Sequence, residues 1–247
     1  MKKGFLVLSL AVLLQACATS QANKDQSTIH YQLGVSYLNE GDSTSALREL
    51  LEAQKFNNTD PRLFNALALA YLKKGELNLA MQGFKRALEL DPKFSEARNN
   101  LGIIYLEQKM WENAIDEFKK ASDDLLYSTP EFSYTNMGWA YFKKGDPIKA
   151  IESYQKAIER RPNYPKPHHD LGLVYFSLNR IEDAIIEYKT AIRFFPNYLD
   201  AHYDLGLAYF KANKKGLAQD AFKEAVRIAP DTEMGRNAQN YIDLLVK

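Results

Sequence analysis

The chain has 247 residues, 46% of them hydrophobic, with 32 basic and 31 acidic side chains and a formal net charge of +1. That balance lacks the basic excess with which a protein neutralises a phosphate backbone, so no nucleic-acid partner is expected. A single cysteine excludes an internal disulfide.

The chain opens on Lys2 and Lys3, continues with a mainly apolar run from Phe5 to Leu14, and places a small residue before Cys17. The run is shorter than the roughly 20 residues a helix needs to span a bilayer, so residues 1–16 read as an export signal. Leu14-Gln15-Ala16-Cys17 resembles a bacterial lipobox. The resemblance implies that the signal is cut before Cys17, that the thiol is diacylated and that the new amino terminus is acylated. Three acyl chains, at about 0.8 kcal/mol per buried methylene, make a near-permanent membrane anchor. Loss of Lys2 and Lys3 would leave 30 basic against 31 acidic residues, a net charge of −1. Ala18, where a retention signal would carry Asp, implies sorting to the outer membrane. Residues 17–26 are polar with no periodic apolar face and read as a lipidated tether, reaching at most about 33–36 Å if extended.

From residue 27 onward the sequence repeats itself. Counted from the start of each unit, position 8 is Gly34, Ala68, Gly102, Gly138, Gly172 and Gly206, at spacings of 34, 34, 36, 34 and 34. Position 11 is Tyr in all six units, from Tyr37 to Tyr209, and positions 20 and 27 are always Ala. The units are 27–60, 61–94, 95–128, 131–164, 165–198 and 199–232. Small residues at positions 8, 20 and 27 let two helices approach, and Tyr at 11 with an aromatic near 24 fills the space between them. A turn between the two helices needs a left-handed residue, supplied by Gly41, Gly75, Gly145, Asn179 and Asn213. Lys109 stands at that place in the third unit without an evident reason. The array is interrupted between Ala121 and Pro130, where the closing proline is missing and two extra residues intervene. In residues 233–247, Met234, Ala238, Tyr241, Ile242 and Leu245 form one apolar stripe, predicting a capping helix over the last repeat.

This period and its small-large pattern resemble the tetratricopeptide repeat. The resemblance implies an all-α, right-handed superhelical solenoid of six two-helix units with a C-terminal capping helix. It also implies a concave groove lined by positions 2, 5, 9, 12 and 13 of each first helix. Position 9 is Val35, Leu69, Ile103, Trp139, Leu173 and Leu207, and position 12 is Leu38, Leu72, Leu106, Phe142, Phe176 and Phe210. The family commonly has Asn at position 9, where its chaperone-binding branch clamps a peptide carboxylate, and this chain does not. These two files predict a groove for an apolar helix or extended segment. The alternative is that the same side chains fold onto neighbouring repeats and complete the core. Trp139 with Phe132 and Phe142 is the expected anchor, since desolvated aromatics dominate binding energy. Asn65, Asn99 and Thr135 at position 5, with Asn100 and Asn136 at position 6, either donate to a bound backbone or brace adjacent helices.

Catalytic chemistry is not legible. His30, His168, His169 and His202 have no metal-ligand spacing, and adjacent His168 and His169 diverge by about 100° on a helix. No nucleophile elbow, phosphate loop or free cysteine nucleophile is present, so neither enzyme activity, metal, cofactor beyond the covalent lipid, nor small-molecule substrate is expected. Asn57-Asn58-Thr59 matches a glycosylation acceptor but reads as a loop.

A lipoprotein of six such repeats is similar to the pilotin family of type IV pilus systems. The segment from Ala121-Ser122 through Leu126-Tyr127, followed by Asn136-Met137-Gly138, resembles that family's middle segment. The resemblance implies binding to secretin subunits in the periplasm, promoting their outer-membrane localisation and multimerisation for pili and motility. A periplasmic adaptor for peptidoglycan synthases, hydrolases or a protease is the alternative.

Overall fold

The computed structural model describes residues 2–246, with side chains from 21 to 246. Every regular element among them is an α-helix, as the repeat pattern predicts. The export signal and Cys17 lie outside the described side chains. Two compact units divide the chain at residues 1–104 and 105–247.

The first unit holds α1 (Lys2–Glu40), α2 (Ser43–Phe56), α3 (Pro61–Lys73), α4 (Leu77–Leu90) and the start of α5 (Ser95–Glu107). α1 packs on α2 and α3 on α4 as antiparallel hairpins, joined through α2 and α3. Asp42 caps α2 by accepting from the Thr44 and Ser45 amides at 3.1 and 3.0 Å. Asp60 caps α3 ahead of Pro61, whose missing N–H is an orphan at that position in any case. The expected irregular tether differs in the structure: its described part, residues 21–26, is an exposed stretch of α1. At about 1.5 Å per helical residue, that part advances less than half as far as the same residues would if extended. Packing begins at Ser27, which is buried and donates through Oγ to the Ala53 carbonyl at 3.0 Å.

The second unit runs through α6 (Trp111–Ser122), α7 (Pro130–Lys144), α8 (Pro147–Arg160), α9 (Pro165–Ser177), α10 (Ile181–Phe194), α11 (Leu199–Lys211), α12 (Lys215–Ile228) and α13 (Glu233–Val246). Consecutive helices pack on one another throughout, and Tyr154, Tyr188 and Phe222 are the large side chains at the centre of the hairpins. They sit against the position-8 glycines: a Cβ on Gly138 would stand 2.8 Å from Tyr154, and one on Gly206 2.6 Å from Phe222. α13 lies on α12 with Ala238 and Ile242 buried, and Tyr241 stacks on Phe222 at 4.8 Å. No described helix is long and apolar enough to cross a membrane.

All five turn residues anticipated from sequence have positive φ, from 57° at Asn213 to 91° at Gly145, and Lys109, the exception at that place in the third unit, adopts the same conformation at 58°. In five hairpins the amide just after that residue donates to the position-11 tyrosine carbonyl, as Glu76 does to Tyr71 at 3.0 Å and Lys214 to Tyr209 at 2.9 Å. This six-to-one bond closes the first helix, and only a left-handed residue before the donor brings it into range.

Candidate partner-binding surface

The position-9 residues Val35, Leu69, Ile103, Trp139, Leu173 and Leu207 are half-buried in every repeat. At position 12, Leu72, Leu106, Phe142 and Phe176 are also half-buried, Leu38 is 6% exposed and Phe210 39% exposed. In the second unit Phe142, Leu173, Phe176 and Leu207 lean on the core while keeping a free edge. The two sequence alternatives therefore coexist: Leu38 completes the core outright, while the half-buried members are partly covered and partly open.

In the first unit this surface deepens into a pocket of about 430 Å³ between α1, α3 and the start of α5. Val35, Leu38, Ala66 and Leu69 make its apolar part, with Tyr31, Asn39, Arg62, Asn65, Lys73, Phe94 and Glu96 around them. The Lys73 ammonium donates to the Leu38 carbonyl at 2.6 Å, which holds it at the pocket edge beside the Gly41 amide that donates to the same carbonyl at 3.2 Å. Arg62 faces the Tyr31 ring at 5.8 Å and donates twice to Asp60, at 3.1 and 2.7 Å. Burial by itself would raise the Asp60 pKa, but the bonds from Arg62 outweigh it and hold the carboxyl below its usual range. Tyr31, Asn39, Arg62, Lys73 and Glu96 were not singled out from sequence. The signal was there, since they occupy positions 5, 13, 2, 13 and 2 of their repeats.

In the second unit Trp139 and Phe142 meet at 5.9 Å, with the Lys143 ammonium 4.4 Å over the indole. Phe132 packs elsewhere, edge-on to Tyr164 at 5.3 Å, so the expected aromatic anchor consists of two residues in contact and a third with another neighbour.

Some polar residues of positions 5 and 6 brace neighbouring helices. Asn100 Nδ2 donates to Asn65 Oδ1 at 3.2 Å, and His169 Nε2 meets Asp204 Oδ2 at 2.8 Å, both linking position 5 of one repeat to position 6 of the next. Asn99, expected to face a partner, is 8% exposed, and Thr135 is buried with its hydroxyl donating to the Glu131 carbonyl at 2.7 Å. The angular position on a helix was legible, whereas the depth at which the next helix covers it was not.

The histidines are structural. His30 and His168 each bond through Nδ1 to a glutamate 19 residues on, Glu49 and Glu187, at 2.7 Å. His202 Nε2 meets the Pro196 carbonyl at 2.8 Å. His169 lies between Asp170 Oδ1 at 3.2 Å and Asp204. Burial would lower its pKa, but the bonds and charges of the two carboxylates prevail and raise it to about 9. Lys166 Nζ lies 3.0 Å from Asp170 Oδ2, near enough for an ion contact though not aligned for a hydrogen bond. No group of three or more potential ligands among the described residues could hold a metal.

Models of the tetratricopeptide repeat match residues 132–164, 153–186 and 199–232, and a TPR repeat model matches 70–109 and 172–213. Together they cover more than half of the chain. No curated protein sequence matches significantly. Among solved structures, PilF of Pseudomonas aeruginosa is similar at a TM-score of 0.78 and 20% identity, over 89% of this chain and 99% of that one. PilW, a type IV pilus biogenesis factor, is similar at a TM-score of 0.80 and 20% identity, over 86% of this chain and 98% of that one. YrrB, a TPR protein with an unusual peptide-binding site, is similar at 0.57 and 23% identity, over 77% and 97%. These likenesses establish the fold.

Proposed function

Because the chain belongs to the tetratricopeptide-repeat family, whose members bind protein partners, we propose that it is a non-enzymatic scaffold of the pilotin kind. In this reading Cys17 carries the lipid that holds the protein in the outer membrane, with the repeats facing the periplasm. The repeats hold type IV pilus secretin subunits and promote their localisation and multimerisation there. The observation that carries the reading is the set of half-buried apolar residues at positions 9 and 12, which offers a partner side-chain surface in each of the two units. In this reading these side chains shield an apolar segment of the secretin subunit until it assembles. Similarity in fold to PilF and to PilW, a type IV pilus biogenesis factor, over nearly their whole lengths supports a role in pilus biogenesis, from which the choice of partner is our own step.

The test is Cys17→Ala in the native cell. Secretin is expected as monomers outside the outer membrane, with wild-type cells giving multimers. Normal multimers and normal piliation in the variant overturn the reading. Affinity capture on the wild-type chain is expected to return secretin, and recovery of cell-wall enzymes without secretin would favour the adaptor alternative.

A further inference from the structure

The first helix of the first repeat lacks a neighbour that later first helices have. α3, α7, α9 and α11 are each covered by the second helix of the repeat before, which is α2, α6, α8 and α10 in turn. Under that cover their position-7 residues, Leu67, Met137, Leu171 and Leu205, are at most 7% exposed, and their position-3 residues are buried. α1 packs on its own second helix, α2, as they pack on theirs, but no described helix covers its other flank. There Ile29 and Leu33, at positions 3 and 7, are 50% and 45% exposed. A terminal repeat that meets only water carries a polar outer face; this one keeps two aliphatic side chains at the centre of its face.

We propose that this flank is the seat of an amphipathic α-helix supplied by the partner, which docks on α1 as α2 docks on α3. The occupant is chosen by continuity: four times within the chain the same face of a first helix is covered, and each time by a helix. The chain does not supply that helix itself. In the lipoprotein reading it begins at Cys17, and residues 17–26 prolong α1. A second copy cannot fill the seat in the same way, because its last second helix, α12, is already covered by α13 and the others are internal to the array. A bilayer fits poorly, since Gln26, Ser36 and Glu40 share the flank with Ile29 and Leu33 and would lose water without gaining partners. A helix brings polar side chains to meet them. Glu40 accepts from the neutral Ser36 hydroxyl at 3.0 Å and has no ion pair among the described residues, so the matching helix carries a lysine or arginine opposite it. The inference rests on the partner reading above but uses a surface separate from positions 9 and 12.

The test places a photo-crosslinking residue at Ile29 or at Leu33, one at a time, in the native cell. Both positions are expected to give adducts with secretin, landing about three or four residues apart on one segment, as one turn of a helix requires. In capture from mild-detergent extract, Ile29→Asp/Leu33→Asp is expected to lower the secretin recovered by about tenfold. Glu40→Arg, an exposed position whose change leaves the packing untouched, is expected to lower it by about threefold. Adducts with lipid or a second copy alone, or capture by both variants equal to wild type, overturn the proposal. The same probe at Trp139 separates the two readings. Secretin adducts from Trp139 with none from Leu33 sink the helix seat and leave the partner standing. Adducts at helical spacing on one segment of another protein, with no secretin from any position, sink secretin and support the seat.

Discussion

Lys109 holds the left-handed turn position that Gly or Asn fills in the other hairpins. A Cβ in that conformation costs about 1–2 kcal/mol, offset in part by the greater freedom of an unfolded glycine. Lys109→Gly is therefore expected to stabilise residues 105–247 by up to about 1 kcal/mol, read as a higher urea midpoint. His169 makes a second prediction at this scale. Its pKa rises from 6.5 when unfolded to about 9 when folded, so the folded state binds the extra proton. Its contribution is complete below pH 6.5 and is lost as pH rises through 9. Burial raises Tyr188 and Tyr198 as well, and those groups reduce stability only above the ordinary tyrosine range. Unfolding free energies from urea titration are expected to fall between pH 6.5 and 9.5, by at most about 3 kcal/mol. His169→Gln should flatten that slope, and an equal slope in the variant would remove the histidine from the explanation.

Between elements, the decisive contacts are small residues facing large ones. The position-8 rule treats Ala68 as equivalent to the glycines, but in the second hairpin the closest approach has moved to the partner helix. A Cβ on Gly83 of α4 would stand 2.9 Å from the Ala68 methyl. One helix gained a methyl where the other lost a side chain, and only the packed pair reveals the exchange. Gly235 is a sharper case, because a Cβ there would fall inside the van der Waals envelope of the Ala229 carbonyl, which cannot swing aside as a side chain can. Gly235→Ala is expected to push α13 away from the end of α12 and to cost about 1–3 kcal/mol. The check is a selective loss of amide protection in α13. Protection equal to wild type would mean that the turn can open at little cost.

For the molecule as a whole, stacked hairpins make stability a sum of local terms and nearest-neighbour terms. Phe222 is fully buried beneath Tyr241, and Phe222→Ala is expected to cost about 3–5 kcal/mol. Hydrogen exchange should quicken in α11–α13 and stay at its wild-type rate in α1–α4; uniform loss across the chain would refute local additivity. The sequence alone determined the two-helix period, the turn residues and the small-against-large pairing, because each depends on spacing within a hairpin. It also gave the helix face on which Val35, Leu69 and Trp139 lie. Only the tertiary structure decided that Asn99 and Thr135 are buried, that Phe132 leaves Trp139 for Tyr164, and that Arg62 and Lys73 flank a pocket. The reason is geometric: a register fixes the direction of a side chain, but its depth depends on how far a helix some 35 residues away leans over it, as Asn100 leans on Asn65.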